Sequence, residues 1–361
     1  MPFSEYIGNE TIVSVLRRMM TDDRLPQTML FAGPLGVGKA TLARFMAAAV
    51  NCHRNDGDFC GECSSCLRTL AADLSKSEYL EQAAEREKMP AAKRNEAPLT
   101  ISTHPDFLIF PPDGPLRMIS IDQARQLRKA AQFSPSEGRR RVFVIDHAER
   151  ANDEAANSLL KTLEEPAPAL TIILTSEKPF ELLPTIRSRS VPFYFSPLTA
   201  DEMDRYFEAR TEFSAAERTR LGGWAQGSPG RAFAMDADEY LARREAMLAL
   251  IRTALGTAGF GEMAGRLEGI ARKSGEKIEL LVEMAEGLLR DLLHLRLGSG
   301  RLINGDIREE LRELAERVEL DWVDKASRRL GELNELGRRN IQKQVALEAL
   351  AIGLRRARAS R

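Results

Sequence analysis

The chain has 361 residues, 43% of them hydrophobic, enough for two or three domains with cores of their own, and no apolar run approaches the roughly 18 residues that span a bilayer. A formal net charge of −1 argues against a protein that coats nucleic acid by itself, because phosphate binding needs a concentrated basic surface; Arg139-Arg140-Arg141 and Arg355-Arg356-Ala357-Arg358 read as local solvated charge. The opening Met1-Pro2-Phe3-Ser4-Glu5 lacks the basic and apolar regions of a signal peptide, so a cytoplasmic protein without membrane contact is expected.

The first patterned element is the apolar run Met29 to Ala32. It leads into Gly33-Pro34-Leu35-Gly36-Val37-Gly38-Lys39-Ala40-Thr41, after which Leu42, Phe45, Met46 and Ala49 recur at helical spacing. Strand, loop and helix in that order are the setting of a nucleoside-triphosphate phosphate loop. Gly33, Gly36 and Gly38 would offer backbone N–H groups to phosphate, and Lys39 would neutralise its charge. The Ser or Thr that ligates Mg²⁺ in such a loop is replaced by Ala40. Thr41 comes one residue late, about 100° round the helix. ATP or ADP binding is therefore expected with impaired Mg²⁺ binding.

All four cysteines follow at once: Cys52, Cys60, Cys63 and Cys66, in a C-x7-C-x2-C-x2-C array. Four thiolates complete a tetrahedral Zn²⁺ shell, and a reducing cytosol disfavours two disulfides. A structural zinc knuckle is the expectation, with His53 as a competing ligand and an Fe–S cluster as the other sulfur-rich option. Residues 72–100 are dense in Lys, Arg and Glu and read as a mobile charged insertion, with helix possible in the first half.

Strands Phe107–Phe110, Val142–Ile145, Thr171–Thr175 and Val191–Phe195 alternate with helices Ile121–Phe133 and Asp153–Glu165, the latter stopped by Pro166. With Met29–Ala32 they predict a five-stranded parallel sheet covered on both faces, an α/β nucleotide-binding domain. Asp146 ends the Val142–Ile145 strand as a Walker B carboxylate does, on the magnesium side. The neighbouring position, where hydrolysing ATPases of this class carry the Glu that polarises water, holds His147; Glu149 lies two residues further on. Ala40 and His147 thus damage the same reaction. After Ser196-Pro197 the capping box Thr199-Ala200-Asp201-Glu202 opens a region that reads as helical to the end. Within it, Leu281, Met284, Ala285, Leu288, Leu292 and Leu295 form an apolar stripe suited to a core or to an assembly surface.

Together these residues resemble the delta-prime family of bacterial DNA polymerase III clamp-loader subunits, which are AAA+ proteins. The resemblance covers nearly the whole chain. It rests on Phe3 to Leu16, the phosphate loop, the four cysteines, Thr103-His104-Pro105-Asp106, the stretch Ala156-Asn157-Ser158-Leu159-Leu160-Lys161-Thr162-Leu163-Glu164-Glu165-Pro166, and Ser188-Arg189-Ser190, where the family usually has Ser-Arg-Cys. It implies an AAA+ domain with zinc knuckle over 1–196, a helical lid over 197–235 and a helical collar over 236–361. It also implies that Arg189 is an arginine finger reaching the nucleotide of a neighbouring subunit. Thr175 and Ser176 resemble a sensor-1 position, and Gly227-Ser228-Pro229-Gly230-Arg231 a sensor-2 turn. Motor subunits place their arginine where Gly230 stands, and Arg231 is one residue later. Implied partners are the tau/gamma motor subunits and delta in a hetero-pentamer, a sliding clamp, and primed DNA through the complex. The alternatives are an ATP-hydrolysing tau/gamma-type motor, against which Ala40 and His147 argue, and a stand-alone DNA-repair or helicase-loading AAA+ ATPase.

Overall fold

A computed structural model describes residues 2–54, 57–209, 214–271, 276–337 and 342–359. The chain divides into two compact units, Met1–Arg210 with Gly227–Gly230, and Thr211–Gln226 with Arg231–Arg361. The segment 197–235, expected as a separate lid, is shared between them.

The first unit is built on a six-stranded sheet in the order β2-β3-β4-β5-β1-β6. Its strands are β1 (Thr28–Ala32), β2 (Ile101–His104), β3 (Phe107–Phe110), β4 (Arg141–Ile145), β5 (Leu170–Ser176) and β6 (Val191–Tyr194). β1 and β3 to β6 are the five expected strands, and their pairings are all parallel. The expectation of five parallel strands is corrected by β2, which pairs antiparallel with β3 at the sheet edge. Only Ile101 and His104 of β2 are buried, so its polar middle, Ser102-Thr103, carries no strand signal in the sequence.

β1, the inner four residues of β4, and β5 are buried throughout, as central strands covered on both faces must be. Leu30, Phe143 and Ile172 share one core layer with Leu127 of helix Ile121–Ala130 and Leu159 of helix Asp153–Glu164. A Ser120–Gln123 capping box starts the first of these helices, and Asn152 caps the second through the Ala155 N–H. The first ends at Ala130, short of Phe133, because the Gln132 and Phe133 N–H groups turn back onto the carbonyls of Lys129 and Ala130. Register places Ala32 of β1 beside Ser176 of β5, and Leu174 of β5 beside Ile145 of β4. The C-terminal ends of the three central strands therefore line one edge, where open α/β sheets bind ligands.

The 72–100 segment, expected as a charged insertion with helix possible in its first half, forms helices Ser77–Lys88 and Ala91–Glu96. Arg86 is buried and fits Asp113 bidentately, Nε to Oδ1 at 2.8 Å and Nη2 to Oδ2 at 2.6 Å, while Nη2 also donates to the Ala97 carbonyl at 2.9 Å. One buried fork–fork pair thus fastens a segment whose surface composition resembles disorder.

Every regular element described in the second unit is a helix. Helices Ala237–Ala254 and Ile278–Leu297 are its centre. The stripe Leu281, Met284, Ala285, Leu288 and Leu292 is core here, packed with Leu250, Met263, Leu311 and Trp322, and Leu295 lies partly buried at its margin. Trp224 stacks on Tyr240 at 4.2 Å between ring centroids, and the buried Asp291 carboxylate accepts the Ile303 and Asn304 N–H groups. Among the described residues no helix is long and apolar enough to cross a membrane.

Candidate functional site

The phosphate loop leaves β1 and enters helix Lys39–Val50. Its backbone needs glycine at three places: Gly33 has φ +156° and a Cβ there would stand 2.6 Å from the Phe195 carbonyl oxygen, Gly36 has φ +75°, and Gly38 has φ +100° and lies so close to Tyr6 that a Cβ would stand 2.8 Å from the tyrosine hydroxyl. Lys39 is buried, with Nζ donating to the Gly33 and Pro34 carbonyls at 2.7 Å each. Burial lowers its pKa, although Glu177, Asp146 and Glu149 favour the charged form. Ala40 and Thr41 follow Lys39 in the first helical turn, so no oxygen stands at the position where a phosphate-loop helix ligates magnesium. The Ala40 side chain itself brings no ligand atom to a magnesium ion.

Asp146 follows β4, with Oδ1 accepting from the Thr175 hydroxyl at 2.6 Å, and the same hydroxyl accepts the His147 N–H at 3.0 Å. Sheet register, Ile145 beside Leu174, thus brings Asp146 and Thr175 together. His147 has φ +53°, and its Nδ1 lies 3.3 Å from Glu149 Oε1 and 3.2 Å from Glu177 Oε1. Burial opposes an imidazolium here, but Glu149, Asp146 and Glu177 outweigh it and raise the His147 pKa. Burial likewise works against the Glu149 carboxylate, yet the His147 hydrogen bond and neighbouring donors hold it down at about 2. The imidazole is thus held among three carboxylates, those of Asp146, Glu149 and Glu177. Glu177 was not singled out in the sequence; an acid directly after the buried Thr175-Ser176 end of β5 is the signal that points to it.

The four cysteines converge, their sulfurs all within 4.8 Å of one another and the Cys60 and Cys66 sulfurs 4.0 Å apart. Tetrahedral zinc with Zn–S near about 2.3 Å needs sulfurs roughly 3.8 Å apart, so the donor set fits the metal. Cys63 caps helix Ser64–Ala71, accepting the Cys66 N–H, while the Cys60 N–H points to Cys52 Sγ and the Cys63 N–H to Cys60 Sγ. Backbone N–H groups of Glu62 and Cys63 lower the Cys60 pKa to about 6, whereas burial pushes Cys66 up. His53 is not in the group. The Thr103-His104-Pro105-Asp106 motif ties this cluster to the sheet. Thr103 donates to the Arg68 carbonyl, His104 Nε2 lies 3.1 Å from Ser65 Oγ, and the fully buried Asp106 accepts the N–H groups of Ser136, Glu137 and Gly138 at 2.7 to 2.8 Å.

Arg189 lies just before the edge strand β6, on the same unit as the phosphate loop but outside its hydrogen-bonded cluster. Its Nη2 is 2.7 Å from Glu164 Oε1 and its Nη1 donates to the Thr185 carbonyl at 3.0 Å. Gly230 donates its N–H to the Gly36 carbonyl at 2.8 Å, and a Cβ there would stand 2.9 Å from Gly36 Cα, so this turn abuts the phosphate loop. Arg231 belongs to the second unit, where it pairs with Glu283.

Residues 8–199, more than half of the chain, match the model of the family described as DNA polymerase III, delta subunit. The chain is 35% identical over 163 residues to DNA polymerase III subunit delta' of Pseudomonas aeruginosa, covering 45% of this chain and 40% of that protein. It is 27% identical over 232 residues to subunit tau/gamma of Haemophilus influenzae, covering 63% and 29%, and 25% identical over 341 residues to subunit tau of Escherichia coli, covering 88% and 48%. The matches thus span less than half the length of these relatives. A gamma subunit-related protein of Thermotoga maritima aligns over 95% of this chain and 98% of its own, at 15% identity and a TM-score of 0.42.

Proposed function

We propose that this chain, which belongs to the DNA polymerase III delta-subunit family of AAA+ clamp-loader proteins, is a delta-prime-type stator. It would assemble with tau/gamma motor subunits and delta, help a sliding clamp open and close around primed DNA, and hydrolyse little or no ATP itself. The observation that carries the reading is the double defect at the sheet edge: Ala40 in place of a metal-ligating hydroxyl, and His147 clasped by Glu149 and Glu177 in place of a water-activating carboxylate.

Gly33, Gly36, Gly38 and Lys39 would hold the phosphates of ATP or ADP, with Asp146 and Thr175 beside them; a contribution from Arg231 would require it to leave Glu283. Cys52, Cys60, Cys63 and Cys66 would hold one structural zinc, which supplies cross-linking and no chemistry. Arg189 would be the finger offered to a neighbour's nucleotide, since a guanidinium fork matches charge spread over phosphate oxygens. The three-part division at 196 and 235 belongs to this reading, with residues from 236 onward as collar.

Co-purification of the chain with its motor subunits tests the assignment. A stable complex on gel filtration, whose clamp-loading activity depends on this chain while its ATPase comes from the motors, is the expected result. A chain that stays apart from the motors and hydrolyses ATP alone favours the stand-alone ATPase.

A further inference from the structure

The Leu-Leu-Lys-Thr-Leu-Glu-Glu-Pro stretch ends helix Asp153–Glu164, and its first glutamate, Glu164, faces Arg189. Glu164 holds one amino group of Arg189 at 2.7 Å, and the Thr185 carbonyl holds the other at 3.0 Å. Both acceptors are fixed from behind. Leu163, next to Glu164, and Ile186, next to Thr185, are 4% and 2% exposed. The helix that carries Glu164 presents its negative C-terminal end there, which also favours a cation. Arg189 itself remains 35% exposed at the side chain and Glu164 44%, so the pair is open to solvent and to another chain.

Resting on the reading of Arg189 as a finger, we propose that Glu164 is its positioning residue: it holds the guanidinium at the edge of the free subunit and gives it up to a neighbour's phosphate. A long arginine left to itself must be ordered when the subunits meet, whereas one gripped at both amino groups is ordered beforehand. The grip must also be weak enough to exchange. An exposed ion pair is of that strength, and exchange of one anionic partner for another leaves the guanidinium neutralised throughout.

The test is the clamp- and DNA-stimulated ATPase of the reconstituted loader carrying Glu164→Ala, Glu164→Gln, Glu165→Ala, Arg189→Ala or the Glu164→Ala/Arg189→Ala pair, at matched assembly. Glu164→Ala should lower kcat roughly 1.5- to 5-fold, the span to which an exposed pair converts. KM for ATP should stay unchanged. Glu164→Gln, still an acceptor, should recover part of the loss, Glu165→Ala should match wild type, and the double variant should be no slower than Arg189→Ala. Arg189→Ala slower than wild type with Glu164→Ala unchanged, or losses that multiply in the double variant, would overturn the role of Glu164 alone. Unchanged rates with Arg189→Ala would remove the finger reading and this inference with it.

Discussion

At the scale of single residues, positions 40 and 147 would limit turnover in series on the proposed reading. Ala40→Thr restores a hydroxyl in the first turn of helix Lys39–Val50, but His147 remains between Glu149 and Glu177. Steady-state turnover by Ala40→Thr should therefore stay near that of wild type; recovery to motor-like rates would show that metal placement alone was missing. Asp106 supports a second prediction. Burial would raise its carboxyl pKa, yet the N–H groups of Ser136, Gly138 and Glu137 hold it below the ordinary value. A depressed carboxyl contributes stability that is present above its unfolded pKa, near about 4, and lost as pH falls through its folded pKa. Asp106→Asn should cost about 3 kcal/mol at neutral pH, from the scale of charge-assisted hydrogen bonds. The cost should shrink toward acid pH, as read from urea midpoints across the range. A cost that does not change with pH would mean the carboxylate charge is irrelevant to the loop it holds.

At the scale of elements, legibility followed the source of stability. Apolar strands such as Val142–Ile145 and capped helices such as 153–164 carry their signal in consecutive residues, so the sequence located them within a residue or two. β2 and the helix Ala91–Glu96 do not, and of 72–100 only the first half reads as possible helix. β2 exists because β3 offers it an edge, and the two helices are held through Arg86 and Asp113, 27 residues apart in the chain. Arg86→Ala leaves the Asp113 carboxylate, 8% exposed, with the Gly114 N–H but without its guanidinium, which should destabilise the unit by about 3 kcal/mol or more. Limited proteolysis should then cut within 77–96 before any other site; unchanged protection would show the helices dock by other contacts. For the cysteines, the spacing foretold the cluster but not its tether through Thr103 and His104 to Arg68 and Ser65. Metal analysis of protein purified without added zinc should find one zinc per chain, and chelation should loosen helix Ser64–Ala71 first in hydrogen exchange. No metal, or iron with labile sulfide, would contradict the zinc knuckle.

At the scale of the whole molecule, the phosphate-loop spacing and the alternation of strands and helices foretold the sheet-based first unit, while the Leu281–Leu295 stripe suited a core and an assembly surface equally. Burial decides for the core at Leu281, Leu288 and Leu292, because neighbouring helices distant in sequence cover them. The His147–Glu149–Glu177 clasp was half legible: His147 and Glu149 lie together in sequence, but Glu177 arrives from another strand through sheet register. The central claim is that a chain with this fold and this clasp serves a loader without burning ATP. The most direct measurement is steady-state ATP hydrolysis by the purified, zinc-loaded chain alone, beside an equal amount of its motor subunit, with magnesium and primed DNA present. Turnover should be indistinguishable from that of a Lys39→Ala control; turnover comparable to the motor subunit, abolished by Lys39→Ala, would contradict a non-hydrolysing role.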